Sequence, residues 1–130
     1  VGSEMCIETD IQPYGTTHAD FAYGAIPCTR DMTEAEIEGE YELNTGKVIA
    51  ECFESRSIDP EAVPAVLVRS HGPFTWGKNA AEAAKNSAVL EAVAKDAYLS
   101  ERMNAPTANI FLQKKHYFRK HGANAYYGQK

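Results

Sequence analysis

The run Ala65-Val66-Leu67-Val68, followed by Arg69-Ser70-His71-Gly72-Pro73-Phe74-Thr75-Trp76-Gly77, constrains this chain more than any other stretch. Four consecutive apolar residues, two of them valines, predict a buried strand. Ser70-His71-Gly72-Pro73 is expected to end it, because a glycine and a proline are poor members of a ladder. His71 then stands at the end of a rigid element. That setting suits a metal ligand, whose geometry must be fixed before the metal arrives. On the pattern alone the plainer reading is a buried histidine that bonds a loop carbonyl, since a single histidine is not a coordination set.

A chain of 130 residues fits one domain with enough apolar residues for a core. The formal net charge of −5 argues against nonspecific binding to nucleic acid or anionic membranes. No apolar run approaches the length of a membrane span, and the first residues lack the basic and apolar regions of a signal peptide. Val1 is not an initiator methionine, so position 1 need not be where the gene begins. Cys6, Cys28 and Cys52 are odd in number, widely spaced and without a C-x-x-C pair. They read as reduced cysteines of a cytoplasmic protein.

Along the chain, Val1 to Pro13 stays open: Met5, Ile7 and Ile11 fit a strand, while Glu4, Glu8 and Asp10 dilute the pattern. Tyr14 to Arg30 is rich in Gly, Thr and aromatics without a helical period, and reads as a loop with a short strand. On residue type alone its Asp20 is a turn aspartate bonding backbone amides. Thr33-Glu34-Ala35-Glu36 has capping-box spacing. Beyond it Ile37, Tyr41, Val48, Ile49, Cys52 and Phe53 recur as one face of a helix. Gly46 weakens that helix by about 1 kcal/mol relative to alanine, and Glu42 reads as a surface charge. Asp59-Pro60 and Val63-Pro64 punctuate the connection into the strand.

After Gly77, Asn79 caps a helix from about Ala80 to Met103, whose Ala81, Ala84, Ala88 and Ala92 are expected to lie close against a sheet. Pro106 starts a new segment, a helix or half-helix marked by Ile110, Phe111, His116, Tyr117 and Phe118. It carries Lys114, Lys115, Arg119 and Lys120, a basic cluster that serves either as a solvated face or as a phosphate contact. The terminal Tyr126-Tyr127-Gly128 reads as a frayed tail. Strands alternating with helices give an α/β class.

Four stretches carry a resemblance. They are Val66-Leu67-Val68-Arg69-Ser70-His71-Gly72-Pro73-Phe74-Thr75-Trp76-Gly77-Lys78; Gly15-Thr16-Thr17-His18-Ala19-Asp20-Phe21-Ala22-Tyr23-Gly24-Ala25-Ile26-Pro27-Cys28-Thr29-Arg30; Gly39-Glu40-Tyr41-Glu42; and His116-Tyr117-Phe118-Arg119-Lys120-His121-Gly122-Ala123-Asn124-Ala125-Tyr126-Tyr127-Gly128-Gln129. From about Tyr14 onward the chain resembles the class II aldolase family, and within it the L-ribulose-5-phosphate 4-epimerases. The resemblance implies a three-layer α/β/α domain with a central mixed sheet, of which residues 1–130 are the C-terminal part, truncated at the N-terminus. It implies Zn2+ held by His71 together with a His-x-His pair that has no counterpart here. Asp20 and Tyr127 match its acid/base residues, and His116 matches an assisting group. Thr16 and Glu42 match positions at the substrate, and Arg119 matches a phosphate contact. His116, Arg119 and Tyr127 match residues reaching across from a neighbouring subunit. His18 matches none of the zinc histidines.

The function is likewise an expectation of the resemblance: a phosphorylated pentulose substrate, a homotetramer, and a cytoplasmic enzyme of arabinose catabolism. The reaction interconverts L-ribulose 5-phosphate and D-xylulose 5-phosphate by retro-aldol cleavage and recombination. With one zinc ligand the 130-residue chain alone is expected to be inactive. An aldolase of the same family and a noncatalytic, complementing subunit are the two alternatives.

Overall fold

The computed structural model describes residues 9–128; Met5, Cys6 and Ile7, and with them the open N-terminal strand, lie outside the described residues. The predicted strand is β1, Ala65–Val68. All four of its residues are 0% exposed. Because side chains alternate across a strand, burial of all four means that both of its faces are covered.

The ladder does not end at Gly72-Pro73, as the residue types alone suggest. β2, Gly72–Thr75, returns antiparallel on β1, with Leu67 opposite Pro73 and Val68 opposite Gly72. Proline is tolerated because Leu67 turns its own polar groups the other way. Its N–H donates to Pro27 O and its carbonyl accepts from Thr29 N, each at 2.9 Å. Leu67 and Pro73 are therefore a pair that exchanges no hydrogen bonds, and the missing proline N–H leaves no gap. The three-residue connection needs a left-handed Ser70 at φ 59° and a glycine at φ 143°, backbone that Gly72 adopts without a Cβ penalty.

Isolated bridges extend the sheet's edge: Cys28 pairs parallel with Leu67, and Ile11 antiparallel with Ile26. The short extended piece expected within Tyr14–Arg30 is thus present. The rest of that stretch is not all loop: residues Thr16–Phe21 form a helix, α1. A helix this short leaves no readable period. What stabilises α1 is burial of His18, Ala19 and Phe21.

The capping box at Thr33 is present: its side chain accepts from Glu36 N, and the Glu36 side chain accepts from Thr33 N. The helix it starts, α2, covers only Glu34–Glu38, and a separate α3 spans Tyr41–Arg56. The expected single helix breaks at Gly39, which leaves helical backbone at ψ −134°. A Cβ there would sit 2.9 Å from Ala35 O. Ile37 is exposed in consequence, while Val48, Cys52 and Phe53 bury as expected. Arg30 ties the two helices together, reaching Glu36 at 2.9 Å and Glu51 at 2.8 Å.

α4 spans Ala80–Arg102, with the Asn79 side chain accepting from Glu82 N. It packs against β1 and β2, but not through the expected alanines: Ala81, Ala84, Ala88 and Ala92 are exposed. The buried face is Leu90, Val93, Ala94 and Ala97. Larger apolar groups on one stripe gain more from burial than a stripe of methyls, so they decide the rotation of the helix. α5, Ile110–Lys120, follows after Pro106 and lies along α1.

Together these are a mixed helix and strand fold with a small antiparallel sheet. Among the described residues no helix is long and apolar enough to cross a membrane. Cys28 and Cys52 are buried and neither is in a disulfide; burial, reinforced by Asp10, pushes the Cys28 thiol up to about 11.

Candidate functional site

Asp20 is the meeting point of the two ends of the chain. Gly15 enters α1 in extended backbone. Ala19 and Phe21 on either side of Asp20 are buried, which fixes the helix. α5 is brought alongside by Ala108, whose N–H donates to Pro13 O at 2.8 Å, and by Asn109, whose side chain accepts from Phe111 N. On α5, His116, Arg119 and Lys120 are spaced by three and four, so they share one face.

All three converge on the Asp20 carboxylate. His116 Nδ1 is 3.1 Å from Oδ1. Arg119 donates from Nε to Oδ1 at 3.2 Å and from its terminal nitrogen to Oδ2 at 2.8 Å. Lys120 Nζ lies 3.2 Å from Oδ2. His121 adds a contact at 3.0 Å to the Asp20 main-chain carbonyl and stacks on the Tyr117 ring with centroids 4.5 Å apart. Partial burial by itself would push the Asp20 carboxyl up. The bonds from Arg119, Lys120 and His116 outweigh that and hold it below the ordinary carboxylate range.

Tyr127 completes the group. Its ring lies under the Arg119 guanidinium at 4.2 Å, and the Arg119 carbonyl accepts from the N–H groups of both Tyr126 and Tyr127 at 2.9 Å. The tail is thus pinned to the helix that precedes it and is not frayed through Tyr127. Asp20, His116, Arg119 and Tyr127 come together within one chain, where the resemblance puts three of them on a neighbouring subunit. Lys120, which the sequence marks only as part of the basic cluster, and His121 are further partners of Asp20. The four-residue step from His116 to Lys120 is the signal that points to the first of them.

The remaining candidates lie elsewhere. Thr16 opens α1 one turn before Asp20 and is exposed. Glu42 is exposed in the first turn of α3. His71 is exposed in the β1–β2 connection, where its ring neighbours Phe74 at 5.3 Å and Tyr41 at 6.2 Å. The structure does not bring it together with the Asp20 group. Among the described residues, no three or more His, Cys, Asp or Glu side chains are placed to hold a metal ion. A catalytic zinc takes three protein ligands, so the described residues do not fit Zn2+.

His18 is 2% exposed, its Nε2 bonds Gly24 O at 2.7 Å, and its Nδ1 has no hydrogen-bond partner among the described residues. Burial lowers its pKa, against a smaller opposing effect of the Gly24 bond. It holds the end of α1 in place.

Residues 3–98 match the family model described as Class II Aldolase and Adducin N-terminal domain. Thr16, Asp20, Glu42 and His71 fall inside the matched span; α5 and the tail, with His116, Arg119 and Tyr127, fall beyond it.

Proposed function

The chain belongs to the class II aldolase and adducin family, and on that premise we propose that it serves the epimerisation of L-ribulose 5-phosphate to D-xylulose 5-phosphate. The family supports carbon–carbon bond chemistry on sugars in general; the particular reaction rests on the Asp20 group. What supports it is a carboxylate, an imidazole, a guanidinium and a phenol meeting at one place from opposite ends of the sequence.

The chemistry asks for such a set. A base takes the proton of the C4 hydroxyl as the C3–C4 bond breaks, leaving an enediolate and glycolaldehyde phosphate. The bonding pair stays on C3. The aldehyde turns over, C3 attacks its other face, and an acid returns a proton to the new alkoxide. Inversion requires proton carriers on opposite faces of the aldehyde. Asp20 and Tyr127 take those parts, His116 orients Asp20, and Arg119 receives the phosphate with its fork. The same proposal places Thr16 and Glu42 at the substrate, and it includes the homotetramer and the three-layer domain. The enediolate would need an electrophile to hold its charge; the resemblance implies Zn2+ with His71 as one ligand, and the described residues by themselves do not supply the rest of a ligand set.

That single histidine favours a second reading, a chain without activity of its own that completes a site with another segment. One experiment addresses both. The chain is incubated with L-ribulose 5-phosphate and Zn2+, alone and with a segment carrying a His-x-His pair, and pentulose epimer and free aldehyde are followed. Epimer without accumulated aldehyde, dependent on the added segment, is expected. Accumulating aldehyde means an aldolase, and no product in either mixture removes the catalytic reading of this chain.

A further inference from the structure

The two roles given to Asp20 and Arg119 conflict in the geometry observed. Arg119 directs two nitrogens at the two oxygens of Asp20, with one face of its guanidinium on the Tyr127 ring. Asp20 takes the Nε edge of the fork; a phosphate on the remaining pair of terminal nitrogens would leave Asp20 locked, so a phosphate that frees the base must take the Nε edge. A carboxylate that already accepts from His116, Arg119 and Lys120 is a poor base.

Resting on the reading of Arg119 as the phosphate contact, we propose that a phosphoryl group displaces the Asp20 carboxylate from the Arg119 fork, so that filling the phosphate position releases Asp20 to act as a base. Occupied and empty sites then differ in which anion the guanidinium holds. A phosphate dianion offers more charge and more acceptor oxygens than a carboxylate, and Arg matches both geometries. The side chains are reachable: Arg119 is 21% exposed and Asp20 15%. The Tyr127 ring beneath the guanidinium lets the fork shift toward an incoming anion without leaving its support. The device also selects substrates, since a sugar without the phosphate leaves Asp20 locked.

By linkage, whatever loosens the Asp20–Arg119 pair tightens the anion, and the anion loosens the pair to the same degree. The test uses the full chain and inorganic phosphate. The carboxyl carbon of Asp20 and the Nε–H of Arg119 are followed by NMR through a pH titration, with and without saturating phosphate. Expected is a shift of the Arg119 signal on binding together with an Asp20 titration moved to higher pH. An Arg119 shift with Asp20 unmoved overturns this inference and leaves Arg119 as a phosphate contact. No Arg119 shift at any phosphate concentration overturns both. Asp20→Asn, which removes the competing charge, is expected to bind phosphate roughly tenfold more tightly, the equivalent of about one charge-assisted hydrogen bond. Equal or weaker binding by that variant, with its helical circular dichroism intact, also overturns the proposal.

Discussion

Arg119 closes on Asp20 at 2.8 Å across 99 positions of sequence. No local propensity brings them together. They meet because α1 is anchored by its buried neighbours and α5 is led back across it from Ala108. The pair therefore reports on the docking of the whole C-terminal segment.

Its pH dependence has a definite sign. Asp20 titrates below an ordinary carboxylate, so the unfolded chain binds the proton more readily than the folded one. The contribution is complete above the ordinary carboxylate pKa and is lost as pH falls through the folded value. Protection of the α5 amides, taken relative to the intrinsic exchange rate at each pH, is expected to fall in acid across that window. In Asp20→Asn that protection should be lower already at neutral pH and should show no step across the window.

His18 gives a second acid limb at higher pH. Burial lowers its pKa from 6.5, so protons bind the unfolded chain preferentially just below that value. Stability is complete above about 6.5 and falls as pH drops through it, levelling only below the folded pKa. Denaturant midpoints measured between about pH 7 and pH 5 should decline. His18→Gln, which keeps an amide donor for Gly24 O, should remove most of the decline. An unchanged slope in that variant would assign the limb to another group.

The core allows a direct contrast on one helix. Leu90 is 0% exposed and Leu99 48%. Leu90→Ala is expected to cost about 2–5 kcal/mol, transfer plus cavity. Leu99→Ala should stay within about 0.5 kcal/mol. Urea unfolding of the two variants checks the rotation of α4, because Leu99 lies on the alanine stripe and that stripe facing inward would reverse the two values.

Where the sequence carries a local signal, it locates the element. The Asn79 cap places α4, the Thr33 box places α2, and the apolar run places β1. Signals fail where the deciding partner is remote. Whether Pro73 can join a strand depends on Leu67 bonding Pro27 and Thr29 instead. The rotation of α4 depends on Leu90 and Val93 winning over alanines that share the helical period. The residues of the Asp20 group are legible only by resemblance. Their meeting within one chain is not, since nothing in the stretch from Met103 to Asn109 announces the direction of the return.

The metal expectation can be separated from the rest by removing metal. His71 is exposed, with Tyr41 and Phe74 as its ring neighbours. A lone imidazole in water holds Zn2+ weakly, because the chelate of three ligands is what fixes the ion. The chain dialysed against a weak chelator is expected to retain far less than one equivalent of zinc, and its melting temperature should not change on adding the chelator. His71→Ala should leave both results as they were. Retention of a full equivalent that His71→Ala abolishes would mean that ligands outside residues 9–128, or contributed by a second copy, complete a site around His71. The electrophile that the proposed reaction needs would then be available to this chain without any added segment.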